Sequence, residues 1–369
     1  MTNPHEYNTF IREFSREIHA IQKNMEDSDE LLLNVSSGTP AMKSALLVLS
    51  TMLDYNCRMI QVTTPAKSMN EHSHKGYDAA FLWEADEDNE HPQNRCQEVD
   101  FQSLALVKYQ NILKNLIQKY DYAGALSICS AIRNLDPAFD DRPFRMAAQR
   151  YLLNIKEARA LAAELGIDDL FPIRANENIE LFEYAANLFV TVKREEYVDF
   201  IRGITPLLLP LFRKILKMQS PDHIDVKAYL VSNHSSGTKA PRWDRAKLAG
   251  SRLDEILKRS FLDFRYETLY SVHIVKLTNE LCPNPDVKDL TQSLRDIKSK
   301  VRNLAAHKIV SVTPQKVSDI TGYSIEDCIR KIQKSFDYAG IPVGRSCWKT
   351  YEEMNQKILD TIPLFDSGL

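Results

Sequence analysis

The sequence predicts two architectures in series, a small α/β domain followed by a large all-helical region. Three observations predict this. Two short, continuously apolar runs near the start alternate with helical segments, which is the order of a parallel βαβ unit. From about residue 103 onward the apolar spacing is helical almost to the end. Glycine is scarce, 11 in 369 residues, which argues against glycine-rich barrels and propellers.

Taken in order, residues 5–24 read as an amphipathic helix, with Phe10, Phe14, Ile18 and Ile21 at helical spacing. "DELLLNV" (29–35) suits a strand buried on both faces, as in a parallel sheet. "MKSALLVLSTMLDY" (42–55) reads as a helix and "CRMIQVTT" (57–64) as a second buried strand. "YDAAFLW" (77–83) is the weak remaining candidate for a third strand. Met1 opens almost directly onto a helix, and two strands make a poor doubly wound sheet, so either another chain completes the sheet or, the favoured expectation, the first β-α-β portion of the domain is missing. Residues 84–100 are acidic, polar and linker-like. Then "SLALVKYQNILKNLIQKYDYAGALSICSAIRNL" (103–135) predicts two helices broken near Asp121. Further helices fit 143–164, 177–193, 195–217, 244–258, 262–280, 287–309 and 324–338. Pro206 and Pro210 should kink or break the 195–217 helix. No fixed-period repeat supports a solenoid.

Composition narrows the function. The chain is 44% hydrophobic and 26% charged, ordinary for a soluble globular protein, and its net charge of −3 supplies no global field for nucleic acid. Any nucleic-acid role needs a local basic patch. "MTNPHEYNTF" has no apolar core of a signal peptide, and the longest apolar run, "ITPLLLPLF", is too short and proline-broken to span a bilayer as one unbroken helix. The six cysteines form no CxxC pair and have no histidine at ligand spacing, so they read as reduced thiols of a cytoplasmic protein. No GxGxxG follows either strand, which disfavours a dinucleotide-dependent enzyme.

The pattern Asn-x-Ser-Ser-Gly-Thr occurs twice, at Asn34–Thr39 and Asn233–Thr238. The first copy follows a strand and precedes a helix, with Thr39 at the N-cap position and Pro40 at the first helical one. Gly38 lets the backbone approach a ligand, and ligands of open α/β sheets bind beyond the strand C-termini. With neutral hydroxyls, backbone amides and no Walker lysine, the loop suits ribose or a phosphodiester. On local pattern it reads equally as a well-capped turn. The second copy, followed by "KAPRW", has no such context and reads as a surface loop.

In "DLTQSLRDIKSKVRNLAAHKIVS", Arg302, Asn303 and His307 form a candidate metal-free ribonuclease set. When the RNA 2′-hydroxyl attacks its own phosphate, the enzyme must supply charge stabilisation and proton transfer. Arginine offers a positive fork, histidine an acid or base near neutrality, and asparagine an orienting hydrogen bond. A five-residue offset turns about 140° round a helix, so a site composed across two copies joins Arg302 and His307 more easily than one chain does. "RDIKSKVR" adds a local basic strip for RNA. By itself the pattern is also that of a solvated helical face. A looser match, Arg12 to His19, is spoiled by Glu13 and reads as chance. His72 and His74 in "EHSHKG" lack a third metal ligand and read as loop, and His273 reads as a packed helix residue. No metal site is expected.

The motifs "LLLNVSSGTPAMKSAL", "MIQVTTP", "ALVKYQNILKNLIQKYDYAGAL" and "RNLAAH", in this order, resemble the CARF–HEPN ribonucleases of type III-A CRISPR systems, the Csm-six group. The resemblance is clearest over 27–125 and 290–310. It implies a partial Rossmann-like CARF sensor at 1–95, a helical connecting region at 96–240 and a HEPN ribonuclease domain at 241–369. It further implies a homodimer that binds cyclic oligoadenylate, the hexa-adenylate favoured, as an allosteric activator, and that cuts single-stranded RNA with no cofactor for catalysis. The activator ring would contact Asn34, Ser36, Ser37, Gly38, Thr39 and Thr63, and Thr39 would contribute to slow cleavage of the ring. Arg302, Asn303 and His307 match the HEPN motif. The protein would serve antiviral defence through a functional link to a type III-A effector complex, without stable association and without a membrane. The family's CARF domain begins with a strand and a ligand-contacting loop upstream of the segment matching residue 1, which agrees with the missing portion inferred from the strand count. The alternative is a non-catalytic, cyclic-nucleotide-sensing dimeric interaction module.

Overall fold

The computed structural model describes residues 6–52, 57–63, 78–84, 94–99, 102–167, 169–231, 240–307 and 313–362. The chain divides into two compact units, Met1–Ile112 with Ala131–Pro137, and Leu113–Ser130 with Ala138–Leu369. Among the described residues no helix is long and apolar enough to cross a membrane.

The first unit runs α1 (Tyr7–Gln22), β1 (Leu31–Asn34), α2 (Pro40–Met52), β2 (Cys57–Val62), α3 (Ala79–Glu84) and β3 (Cys96–Glu98). The expected βαβ unit is present: β1 and β2 are parallel, with Leu31 opposite Cys57 and Asn34 opposite Ile60. Helices α1 and α2 cover one sheet face, where Ile18, Leu49, Leu33 and Met59 form the core, with Phe14 and Leu46 packed against it. The expectation that β1 is buried on both faces fails. Leu33 is buried, but its neighbour Leu32 is 47% exposed, and Arg58 and Gln61 are exposed on β2. On β2, Arg58 donates to Glu30 (2.8 Å) and, as a fork, to Glu98 (2.7 and 2.6 Å), bridging to the far strand through solvent-exposed bonds of modest worth.

The third strand is also not where the apolar pattern suggested. Residues 79–84 are helical because the Asp78 carboxylate accepts from the amides of Ala80 and Phe81 (3.0 and 3.2 Å), capping a run that begins with two alanines. The third strand is instead Cys96–Glu98, inside the polar stretch read as linker, and it pairs antiparallel to β2 with Val62 opposite Cys96. Its side chains are exposed, so main-chain pairing rather than apolar patterning defines it.

Helices α4 (Gln102–Gln118) and α5 (Tyr122–Leu135) follow, separated near Asp121 as expected. In the second unit, α6 (Arg142–Tyr151) and α7 (Ile155–Glu164) split the predicted 143–164 helix at Leu153, whose φ is +60°. Then come α8 (Asn176–Lys193), α9 (Tyr197–Gln219), a 3₁₀ turn (Val226–Tyr229), α10 (Arg245–Leu248) and α11 (Arg252–Ser260). Gly250, at φ +78°, divides the predicted 244–258 helix, and its amide donates to the Asp254 carboxylate (2.9 Å). The predicted 262–280 helix begins only at α12 (Ser271–Leu281), because Arg242 and Thr268 form a β-bridge ahead of it. The remaining helices are α13 (Pro285–His307), α14 (Pro314–Thr321), α15 (Ile325–Tyr338) and α16 (Thr350–Thr361). Residues 314–321 and 350–361 were not anticipated as helices.

Helix α9 is the hub, packing against α8, α12, α13 and α15. It is continuous through Pro206 and Pro210, so the prolines do not break it. Each proline forfeits the bond to the carbonyl four residues back, here Arg202 and Pro206. Residues 202, 206 and 210 all lie on the exposed stripe, where water can satisfy those carbonyls. The opposite face buries Phe200, Ile204, Leu207, Leu211, Phe212 and Ile215. At Gly203 a Cβ would collide with Leu188, so glycine sets the close approach of α8 and α9.

A buried ion pair locks α6, α8 and α16 together. Arg150 and Glu183 are fully buried and share two hydrogen bonds (2.7 and 3.0 Å). Arg150 also donates to the Thr350 hydroxyl (3.1 Å) and carbonyl (3.3 Å) and lies 4.4 Å over the Tyr351 ring. Nearby, the Asn355 amide donates to the Ile117 carbonyl (2.8 Å) and its oxygen accepts from Tyr122 (2.9 Å), tying α16 to the α4–α5 turn.

Candidate functional site

Two stretches carry the sequence-predicted site residues, one in each unit. In the first unit the stretch lies at the C-terminal end of β1. Its geometry comes from side chains binding backbone. The Val35 amide continues the ladder to the Ile60 carbonyl (2.9 Å). The Asn34 carboxamide accepts from the Ser36 amide (2.8 Å), folding an Asx turn. The Ser36 hydroxyl accepts from the Val62 amide, pinning the loop to the last residue of β2. Gly38 then adopts φ +106°, a conformation that side chains disfavour. The Thr39 hydroxyl accepts from the Met42 amide (3.3 Å), the expected N-cap of α2, with Pro40 first in the helix.

Thr63 continues from β2. Its amide donates to the Arg95 carbonyl (3.0 Å) and its hydroxyl lies at 3.5 Å from the same oxygen. The sheet therefore brings Asn34, Ser36, Ser37, Gly38, Thr39 and Thr63 to one end of β1 and β2. They differ in what they have left to offer. Asn34, Ser36 and Thr39 spend acceptor atoms on holding the loop. Ser37 and Gly38 are exposed, and the Ser37 hydroxyl makes no hydrogen bond among the described residues. Arg95 was missed in the sequence because it sits in the acidic stretch. The antiparallel pairing of β3 sets it beside Thr63, adding a cation at this end of the sheet. The second Asn-x-Ser-Ser-Gly-Thr copy, Asn233–Thr238, and the histidines at 72 and 74 lie outside the described residues.

In the second unit, helix α13 runs unbroken to His307, so positions 302, 303 and 307 occupy its last two turns. The side chains of Arg302, Asn303 and His307 lie outside the described residues. Backbone continuity keeps positions 302 and 307 about 140° apart round the axis. The helix is anchored ahead of them by buried Leu290, Leu294 and Ile297 and by the Tyr323 hydroxyl on the Ser293 hydroxyl (3.2 Å). Lys298 donates to the Ser271 hydroxyl (3.1 Å), and Lys300 donates to the Thr321 carbonyl at the C-terminus of α14 (3.0 Å). These bonds give two lysines of "RDIKSKVR" a part in holding the fold, while their acceptors are neutral oxygens that leave the positive charge in place.

His273 is packed, as expected. The Trp243 indole donates to its Nδ1 (3.1 Å), and Phe261 and Phe264 meet its ring edge-on. Burial pushes its pKa down to about 4, so it stays neutral near pH 7.

The described geometry agrees with comparisons to known proteins. A family model for the Cas_Csm6 CARF domain matches residues 1–96, and one for the Cas_Csm6 HEPN domain matches residues 170–359. The chain is 29% identical over 379 aligned positions to the CRISPR system endoribonuclease Csm6 of Mycobacterium tuberculosis, covering 100% of this chain and 83% of that protein. Over 119 positions it is 36% identical to Csm6 of Streptococcus thermophilus, covering 29% of this chain and 26% of the relative. Among solved structures, Enterococcus italicus Csm6 bound to cyclic hexa-2′-fluoro-hexa-dAMP shares the fold, with a TM-score of 0.65 at 16% identity over 98% of this chain and 81% of that one.

Proposed function

This chain belongs to the Csm6 family of CRISPR endoribonucleases, and from that premise we propose that it cuts single-stranded RNA without a metal when a cyclic oligoadenylate occupies its CARF domain. The observation that carries this reading is one chain with a CARF match followed by a HEPN match, the second containing Arg302, Asn303 and His307 on one helix. Arg302 is the group for phosphate charge, His307 the proton-transfer group and Asn303 the orienting group. Their chemistry suits attack by the RNA 2′-hydroxyl.

The 140° separation of positions 302 and 307 supports a site completed by a second copy. In a two-fold arrangement each copy brings one arginine and one histidine to a shared centre. The homodimer is thus part of the proposal, as is a functional link to a type III effector that supplies the ring.

On the sensor side, the loop Asn34–Thr39 with Thr63 is the proposed ring contact. Exposed Ser37, the backbone at Gly38, the hydroxyls of Ser36 and Thr39 and the nearby Arg95 suit ribose and phosphodiester groups. The structural neighbour holds a cyclic hexanucleotide, which favours the hexa-adenylate for this chain. The deciding experiment is cleavage of a fluorescent single-stranded RNA by the purified full chain, with and without cyclic tetra- and hexa-adenylate. The expected result is ring-dependent cleavage, strongest with the hexamer. Equal background rates under all three conditions overturn the activator reading, and no cleavage under any of them overturns the nuclease reading.

A further inference from the structure

The nuclease unit has to hold a polyanionic substrate. The chain carries net charge −3, and Lys298 and Lys300 are engaged with Ser271 and Thr321. Yet a cationic cavity of about 330 Å³ lies elsewhere in this unit, lined by Pro210, Arg213, Lys214, Lys217, Asp225 and Lys227.

Its construction follows from helix periodicity. Pro210, Arg213, Lys214 and Lys217 recur at intervals of three and four along the C-terminal half of α9, which puts them on one face. The following 3₁₀ turn folds back and adds Asp225 and Lys227. Four cations therefore face a single carboxylate. That carboxylate is already engaged: Asp225 accepts from the Lys217 ammonium (2.9 Å) with one oxygen and from the Lys227 amide (2.9 Å) with the other. Among the described residues, Arg213, Lys214 and the Lys227 ammonium have no hydrogen bond or ion pair.

Arg213 is the informative member. It is half-buried, its charge is partly removed from water, and among the described residues no carboxylate pairs with it. Burial pulls its pKa down, and the field of Asp225 opposes that. An arginine desolvated without a partner is costly unless an anion returns the charge compensation, and its planar fork fits a phosphate with two parallel bonds. The lysines beside it are point charges suited to neighbouring phosphates.

We propose that this cavity on α9 and the 3₁₀ turn binds phosphodiester groups of the single-stranded RNA substrate, at residues distinct from the HEPN motif. The proposal rests on the nuclease reading above. The cavity lies within the span that matches the HEPN model, and the substrate of that unit is a chain of phosphates.

The test is direct binding by the full chain, measured by fluorescence anisotropy with a labelled 2′-O-methyl oligonucleotide. This probe has the phosphates of RNA but no nucleophilic hydroxyl, so it is not cut. The variants are Lys214→Gln with Lys227→Gln, and Arg213→Gln alone, each compared with the charge-retaining Lys→Arg or Arg→Lys change. Loss of two phosphate contacts to a single strand lowers the slope of log K against log salt by about 1.4 and weakens binding roughly tenfold at about 0.15 M salt. The double variant is expected to show that loss, Arg213→Gln alone about half the slope change and a roughly fourfold weakening, and the charge-retaining variants to recover most of it. Parental affinity and slope in the neutral variants would overturn the proposal. So would a loss confined to cyclic hexa-adenylate binding, which would make the activator the occupant. Because the probe reports binding without cleavage, a parent chain that fails to cut RNA refutes the nuclease reading and leaves this comparison decisive for the cavity.

Discussion

Replacing Ser36 by alanine removes a tether of the loop together with one hydroxyl of the proposed ring contact. Its hydroxyl is the tether between the loop after β1 and the end of β2, because it accepts from the Val62 amide. Alanine leaves that part-buried amide without its partner, at a cost of about 1–2 kcal/mol. The Asx turn from Asn34 and the Thr39 cap remain, so the loss falls on the position of the loop rather than on the sheet. If the ring binds only the tethered loop, that energy is drawn from ring affinity, and 1–2 kcal/mol corresponds to a roughly 5–30-fold higher half-maximal activator concentration. The assay is RNA cleavage by the full chain titrated with cyclic hexa-adenylate. The plateau rate should match the parent, since Ser36 lies outside the nuclease unit. Ser37→Ala is the companion: its hydroxyl holds nothing in the described structure, so any shift it produces reports ligand contact. A Ser36→Ala shift below about twofold, or a collapsed plateau, would refute the tether argument.

Further outcomes follow from the same structure. His307→Ala should abolish RNA cleavage with the dimer intact by size-exclusion chromatography; a mutant as fast as its parent would remove the HEPN assignment. Cleavage should persist in EDTA, and its loss there would contradict the proposed 2′-hydroxyl chemistry. Glu183→Gln should destabilise the helical unit by about 3–5 kcal/mol in urea unfolding, because it leaves the buried Arg150 charge without its carboxylate; a change below about 1 kcal/mol would show that Thr350 and Tyr351 suffice. His273 makes a pH prediction. Its folded pKa of about 4 lies below the ordinary 6.5, so the unfolded chain takes the proton first as pH falls. Its contribution is intact above about pH 6.5 and falls by at most about 3 kcal/mol toward about pH 4, a slope that His273→Phe should remove in unfolding measured against pH.

Legibility from the sequence tracked how local each feature is. The Asn34–Thr39 loop was readable because its turn, glycine and helix cap are all set by neighbours within a few positions. The α4–α5 break, the βαβ order and most helix spans followed from short-range periodicity for the same reason. What failed was decided by distant partners. The third strand lay in a polar stretch because β2 offered it a backbone edge, while an apolar stretch became α3 under an Asp78 cap. Helix α9 survived two prolines because both fall on its exposed stripe.

The residue order alone determined the class of fold, the two candidate motifs and the need for a local basic patch in an acidic chain. Only the tertiary structure decided which cations are available. Lys298 and Lys300 sit in the most basic stretch of the candidate nuclease helix, yet they are engaged with Ser271 and Thr321. Arg213 and Lys214, inconspicuous between prolines and leucines, share a cavity with Lys227 in which the one carboxylate is already engaged. Charge is a property of a residue, but its availability depends on which opposite charges and carbonyls the fold brings within hydrogen-bonding reach.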